Sequence, residues 1–398
     1  MLTRSFIAIL LGNVILGSAM PMLIILGGLA GAALAPHSWL LTAPPSVQML
    51  AGIVVATPVS LFMGRYGRRA GFLLGAGLIV FGGAVGVIAL YIHSFLLLCT
   101  AHVILGSALI CVNYFRFAAA EAVASKHQAH AISITLASGL VAAILGPELF
   151  TFAKDLLAPI PLAGAYLAMA AIGLLGALPV LGIQLPAPAK TTATTPAQSG
   201  WRIVKSNPRI VFAIGVAAAS QAMMVLLMIP TPLAMIGCGY GDAQAADVIR
   251  WHVIAMFAPG FFTGGLIQRY GAQKIAALGL GLLFCAAGLG LLGVELVNFY
   301  GSLILLGVGW NFGFIGGTQL LQSALSPRER PLVQGINDTI LAVAAATASL
   351  LSGALFAGFG WGGLALAALP LLGAISLALI WQGRRVQKLT PAGPANTL

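Results

Sequence analysis

Long unbroken apolar stretches dominate this chain of 398 residues and restrict it to one kind of fold. A helix needs about 20 consecutive apolar residues to cross a bilayer, and a spanning backbone must satisfy its own hydrogen bonds. Because the apolar runs are continuous rather than alternating, they predict helices and not strands. We therefore expect an all-α membrane protein with twelve transmembrane helices, at 5–33, 46–63, 71–92, 96–119, 130–153, 162–184, 209–236, 246–267, 273–294, 299–324, 333–357 and 362–382.

The few charged residues predict the orientation of these helices. Only 7% of the chain is charged, against about 25% in soluble domains. Most of the 19 Lys and Arg residues lie in loops that share one side with the N-terminus, as cytoplasmic loops do. Lys154 and Arg250 fall on the other side, and Arg116 falls within a span. We expect a multi-pass protein of a bacterial inner membrane with both termini in the cytoplasm. Its net charge of +11 then reflects topology and contact with anionic membrane lipid, not nucleic-acid binding.

One polar stretch separates the first six spans from the last six. It is rich in Pro, Thr and Ala and predicts a flexible linker. The halves repeat each other, since Arg-Tyr-Gly at 65–67 recurs at 269–271 after the equivalent span. Two such six-helix halves are the arrangement of the major facilitator superfamily. The predicted boundaries are a half at 1–184, a cytoplasmic linker at 185–208, a half at 209–383 and a cytoplasmic tail at 384–398.

Three short motifs resemble sequences of that superfamily. The segment 64–71 (GRYGRRAG) resembles its motif between the second and third helices, and 266–274 (LIQRYGAQK) resembles a second copy. Both lack the usual Asp, which Gly64 replaces in the first. Residues 145–147 (LGP) resemble the Gly-Pro motif of antiporter-type members. The resemblance covers nearly the whole chain and implies a secondary transporter. The sequence also lacks Walker, HExxH and GxSxG motifs, so we do not expect an enzyme.

Two pairs of soft side chains lie at four-residue spacing in spans 7 and 8. Met224 and Met228 share one helix face, as do His252 and Met256. At 1.5 Å per residue, Met228 and His252 lie ~12 and ~9 Å from the outer helix ends. Met224 and Met256 lie ~18 and ~15 Å deep, which predicts two rungs at matching depth. Thioether and imidazole ligands favour Cu(I). Methionine also fills apolar cores, so metal binding and ordinary packing both remain open.

The same pairs resemble those of the CcoA-like transporters, bacterial copper importers associated with cytochrome c oxidase assembly. The segment 114–121 (YFRFAAAE) fits this group as well. The resemblance implies that Met224, Met228, His252 and Met256 handle copper. Copper would then be the transported substrate, with no cofactor, and cytoplasmic copper chaperones or oxidase-assembly proteins would be partners.

That resemblance leaves alternatives. The group's close relatives include riboflavin transporters, which lack the Met/His pairs, so the pairs favour copper. An importer of riboflavin or another small organic solute is nevertheless the main alternative. A copper-binding sensor or assembly factor is a second one.

Further residues are candidates for secondary roles. Pro230 and Pro232 interrupt span 7, which is typical of a gate and equally of an ordinary helix end. The secondary copper candidates, near the outer side, are Met20, Met22, Met235 and Cys238.

The ionisable groups inside spans are few and are candidates for coupling. Glu148 follows the Gly-Pro motif directly and is our candidate for proton coupling. Arg116 is expected to pair with Glu121, and Asp338 to cap a helix or form part of a gate. His102 is expected to be solvated near the outer side.

Overall fold

A computed structural model describes residues 3–124, 128–185, 197–326 and 329–388 of the protein. Helices begin where side chains can cap them: the Thr3 hydroxyl accepts from the Phe6 amide, and the Ser94 hydroxyl from the Leu97 amide. The first half contains α1 (Arg4–Gly17), α2 (Ala19–Leu34), α3 (Ala43–Tyr66), α4 (Arg68–Tyr91), α5 (Phe95–Asn113), α6 (Phe115–Glu121), α7 (Gln128–Ala153) and α8 (Ala163–Leu181).

The second half follows a short helix, α9 (Ala197–Ser206). Its helices are α10 (Pro208–Met228), α11 (Thr231–Gly237), α12 (Asp242–Phe257), α13 (Gly260–Tyr270), α14 (Ala272–Leu292), α15 (Leu296–Ser323) and α16 (Arg330–Lys388). The break between α10 and α11 coincides with Pro230, as the sequence predicts. A similar break before Pro259, between α12 and α13, was not predicted.

The helices supply the twelve predicted crossings. In the described part of the chain, nine helices are long and apolar enough to span a bilayer. One of them, 333–374, has 42 residues and a kink at Gly360, so it covers two crossings. Helix α7 and the broken pair α12–α13 supply the remaining two. The prediction of an all-α, twelve-helix membrane protein is therefore confirmed.

The sequence repeat has a structural counterpart. Gly67 and Gly271 both end a helix with φ of 88°, a conformation that glycine adopts at little cost. The guanidinium groups of Arg65 and Arg269 lie 5.3 and 5.2 Å from the centroids of the Tyr66 and Tyr270 rings. The two Arg-Tyr-Gly sequences thus form the same helix-ending turn, one in each half.

The helical bundle has two ends that differ in charge. The basic end carries the two Arg-Tyr-Gly turns, and the opposite end carries the 35–42, 154–162 and 238–241 connections. Helices of the two halves meet mainly as α7 with α12 and α3 with α16, while α2 contacts α11 and α12. The connection before α3 also packs on α16, which places this contact toward the opposite end.

The flexible linker and the tail are partly helical. Residues 197–206 form α9, and Val204 is buried beside Ile210 and Val333 of the second half. The expectation of a flexible chain throughout 185–208 is therefore wrong for its second part, because this apolar side chain anchors the helix. Residues 384–388 continue α16, while 186–196 and 389–398 lie outside the described residues.

Candidate functional site

His252 is fully buried, and its ring orientation follows from one hydrogen bond. Its Nδ1 lies 2.7 Å from the carbonyl oxygen of Leu303 on α15. A carbonyl only accepts, so Nδ1 carries the proton and the neutral ring keeps its lone pair on Nε2. That Nε2 atom is buried without a hydrogen-bond partner among the described residues. Such an orientation is typical of metal-ligating histidines.

The three methionines of the predicted site are buried as well. Met224, Met228 and Met256 expose 4, 3 and 2% of their surface. However, α10 and α12 each pack against α15 rather than mainly against each other. A Cβ added to Gly307 of α15 would lie 2.6 Å from the His252 carbonyl oxygen, which shows how closely α15 approaches α12. The two predicted rungs, Met228 with His252 and Met224 with Met256, require α10 to pack directly on α12. That packing is not among the main contacts of the described helices.

The secondary copper candidates point in different directions. Met22 is fully buried, whereas Met20, two residues earlier on the same helix, is 40% exposed. The two therefore do not face one cavity together, because residues two apart lie on different sides of a helix. Met235 is buried, and Cys238 is exposed. In the described part of the chain, no three His, Cys, Asp or Glu side chains are grouped to hold a metal.

Glu148, the coupling candidate, forms an ion pair between the halves. Its carboxylate lies 2.5 Å from the guanidinium of Arg250, which also bonds Asp247 at 2.8 Å. The Tyr300 hydroxyl donates to the same Asp247 carboxylate. Since α7 and α12 belong to different halves, this network joins them at the opposite end.

Further contacts join the halves at the same end. The Lys154 ammonium lies 3.1 Å from Asp242 of the other half and 2.6 Å from Asp155. The hydrogen bond to Asp155, together with Asp242, raises the pKa of Lys154, so its charge persists at neutral pH. Among the polar contacts, the Thr42 hydroxyl donates to the Ser349 carbonyl at 2.7 Å. Together these contacts hold the two halves against each other, so the bundle is closed at the opposite end.

The remaining charged candidates lie toward the basic end. The expected pair of Arg116 with Glu121 is wrong, because Glu121 instead binds Arg68 at 2.8 Å. Residues five apart on a helix do not face each other, whereas Arg68 begins the neighbouring α4. The Arg116 guanidinium lies 4.8 Å from the centroid of the Phe117 ring. Asp338 of the other half accepts a bond from Asn337 at 3.1 Å and lies within electrostatic range of Arg116.

His102 is buried rather than solvated, contrary to the expectation. Its Nδ1 lies 2.9 Å from the Gln48 side-chain oxygen, and its Nε2 lies 2.8 Å from the Tyr166 hydroxyl. Gln48 is the repeat counterpart of His252. With both ring nitrogens bonded, His102 holds α3, α5 and α8 together and has a structural role.

A group of half-buried polar and aromatic side chains was missed in the sequence. The Trp310 indole N–H donates to the Gln221 side-chain oxygen at 2.8 Å. The Phe314 ring stacks on Trp310 at 4.9 Å, and the Phe257 ring meets it edge-on at 6.4 Å. We call Gln221, Phe257, Trp310 and Phe314 the Trp310 cluster. A signal was available, since Gln221 is a polar residue within an apolar span and Trp310 and Phe314 are four residues apart.

Comparison with known proteins identifies the family. No known family profile matches the chain. The riboflavin transporter RfnT of Brucella anthropi is 36% identical over an alignment of 397 positions that covers 98% of this chain and 97% of that protein. The uncharacterised MFS-type transporter YddS of Bacillus subtilis is 30% identical over 87% of this chain and 83% of its own length. YdeG of the same organism, also an uncharacterised MFS-type transporter, is 31% identical over 79% and 76%.

Solved structures share the fold at low identity. The nucleoside transporter NupG has a TM-score of 0.73 at 14% identity, covering 96% of this chain and 99% of its own. A bacterial homologue of the iron transporter ferroportin, in an inward-facing state, has a TM-score of 0.66 at 16% identity, covering 96% and 99%. With the twelve-helix fold in agreement with relatives that match 79 to 98% of this chain, the chain belongs to the MFS-type transporters, the major facilitator superfamily.

Proposed function

We propose that this protein is a secondary transporter that imports riboflavin. The observation that carries the proposal is the 36% identity to a riboflavin transporter over nearly the full length of both chains. Riboflavin is an uncharged solute with a planar ring system, and the spans of this chain contain few charged side chains. Copper lacks comparable support, since the relatives reported above are named for riboflavin or for no substrate.

Alternating access is the mechanism that we propose for this import. The basic end, which carries Arg65, Arg69 and Arg269, would face the cytoplasm of a bacterial inner membrane. The conformation described above is closed at the opposite end, which would be the outer side. Breaking the Glu148–Arg250 and Lys154–Asp242 pairs would open that side, while the halves close at the basic end.

Riboflavin uptake is the direct test of this function. Bacteria that cannot synthesise riboflavin and that express this protein are expected to grow on low external riboflavin. They should also accumulate radiolabelled riboflavin in a saturable manner, since a transporter has a limited number of sites. Growth and isotope uptake are measured against cells with an empty vector, and excess unlabelled riboflavin should compete.

The opposite result is equally clear. If the protein is present in the membrane at normal levels and uptake equals that of the empty-vector cells, riboflavin is not its substrate.

Copper import is the second candidate, because the buried Nε2 of His252 has no hydrogen-bond partner within the described part of the chain. Met256 lies one helical turn further along α12 and would supply a thioether on the same face. In this case copper is the cargo, and copper chaperones or oxidase-assembly proteins would receive it. The candidate does not depend on the paired rungs, since His252 and Met256 both lie on α12.

Matched methionine variants test this second candidate. Replacing Met256 or Met224 by Leu keeps the apolar volume and removes the sulfur. If copper is the cargo, uptake of radioactive copper should fall about tenfold or more, as losses at metal sites generally do. Met223→Leu is the control, because Met223 is equally buried and adjacent to Met224 but lies on another side of α10. Equal copper uptake by all three variants would exclude these methionines as ligands.

A further inference from the structure

The Trp310 cluster lies near the middle of the membrane-spanning helices. Gln221 is 13 residues from the first residue of α10, which corresponds to about 20 Å along the helix. Trp310 and Phe257 are 14 and 15 residues from the first residues of α15 and α12, or about 21 and 22 Å. Because α10 starts at the basic end and the other two at the opposite end, the three side chains meet at similar depth. Secondary transporters bind their substrates near this depth.

The cluster also faces the first half rather than the lipid. Helix α15 contacts α10 where Gly317 meets Ala217, and it contacts α12 at Gly307. Trp310 lies on α15 between these two contacts. Trp310 accordingly contacts both of these helices, through Gln221 of α10 and Phe257 of α12. Helix α12 packs on α7 and α2 of the first half, and α11, which continues α10, packs on α2. All four side chains of the cluster are only partly buried.

The chemistry of the cluster suits a flat, uncharged ring. Trp310 and Phe314 are inclined by only 18° and form an apolar platform for stacking. Gln221 uses its oxygen to hold the indole N–H, so its amide NH₂ group remains to donate hydrogen bonds. None of the four side chains is charged, which disfavours a nucleotide and favours a neutral solute.

We propose that the Trp310 cluster is the substrate site, where a planar heteroaromatic ring stacks on Trp310 and its carbonyl or ring-nitrogen edge accepts from Gln221. This inference rests on the proposed function for the choice of riboflavin as the ring. A nucleoside presents the same chemistry, so the test includes both.

Binding to the purified transporter in detergent tests this site. Riboflavin fluorescence is expected to be quenched on binding to the wild type, because the flavin ring stacks on an indole. Stacking on one aromatic side chain is worth about tenfold to a hundredfold in affinity. Trp310→Leu should therefore weaken binding about tenfold or more, whereas Trp310→Phe should retain most of the affinity with less quenching. Gln221→Leu should weaken binding about fivefold, since it removes one hydrogen bond.

Trp201→Leu is the control for these variants. It makes the same change at an exposed residue of α9 and should leave affinity unchanged. Size-exclusion profiles establish that each variant is folded, and Trp310→Phe remains informative if Trp310→Leu is not. Riboflavin binding by the wild type with unchanged affinity in Trp310→Leu would overturn the site and leave the proposed function intact.

Failure of the proposed function gives a different pattern. If the wild type binds adenosine or uridine in a Trp310-dependent way but not riboflavin, the site stands and riboflavin is excluded. If no planar ring binds, both proposals are overturned.

Discussion

Replacing Gly279 by alanine is expected to remove most of the folded transporter from the membrane. A Cβ at this position would lie 2.3 Å from the backbone nitrogen of Gly313 and 2.8 Å from the carbonyl oxygen of Gly309. Both atoms belong to the backbone of α15, so no side-chain rotation relieves the clash. Overpacking in cores costs about 1–3 kcal/mol even where side chains can move, and here α14 and α15 themselves must separate. Size-exclusion profiles and thermal unfolding in detergent measure the loss.

The same helix offers a matched control. Gly281 lies two residues further along α14, and a Cβ there would meet nothing within 4 Å. Gly281→Ala is therefore expected to behave like the wild type, or slightly better because alanine favours helices. If both variants gave the same yield and the same unfolding temperature, the close packing of α14 on α15 would be disproved.

Reversing the charge of Arg250 is expected to reduce transport by about tenfold or more. Arg250→Glu replaces two ion pairs, to Glu148 and Asp247, by repulsion among three carboxylates. Partly exposed pairs contribute up to about 1 kcal/mol each, and a tenfold change corresponds to about 1.4 kcal/mol. The conformation closed at the opposite end should therefore become rarer, and each transport cycle must pass through it. Substrate uptake at equal expression levels is the measurement.

A charge-swapped double variant distinguishes closure from proton coupling. Combining Arg250→Glu with Glu148→Arg restores opposite charges across α7 and α12 but leaves no carboxylate at position 148. Recovered uptake would assign the pair to closing the opposite end. If uptake stays low in the double variant although the protein folds, Glu148 serves as more than a partner of Arg250, and proton coupling becomes its best role.

Some side-chain roles followed from the sequence because they depend on local geometry. The Arg-Tyr-Gly repeat predicted equivalent positions in the two halves, and both copies form the same turn around Gly67 and Gly271. Pro230 predicted the interruption of span 7, since proline removes a backbone donor wherever it occurs. By the same argument Pro259 accounts for the break in span 8, where it lies within an apolar run.

Other roles could not be predicted because they depend on which helices are neighbours. Matching depth places His252 opposite Met228, but depth says nothing about which helices pack against each other. In the structure α15 packs against both α10 and α12, and its Leu303 carbonyl accepts the His252 hydrogen bond. The Glu148–Arg250 pair joins residues 102 positions apart, and its existence depends on how the two halves meet.

The proposed substrate differs from the one that the short Met/His motif favours, and the reason lies outside the motif. Four residues, Met224, Met228, His252 and Met256, favoured copper, whereas the comparison over 397 residues favours riboflavin. A spacing of four is easily satisfied by methionines that pack a membrane helix. The full-length similarity draws on every span and therefore supports the organic solute better.

By itself the sequence determined that the chain crosses a membrane twelve times and belongs to an all-α transporter fold. The reason is that bilayer thickness and backbone hydrogen bonding act on each segment independently. Only the tertiary structure decided which side chains meet: the His102 network, the pairs that close one end, and the Trp310 cluster at mid-depth. These contacts depend on the packing of whole helices, and in spans that are apolar on nearly every side the residue pattern does not specify a neighbour.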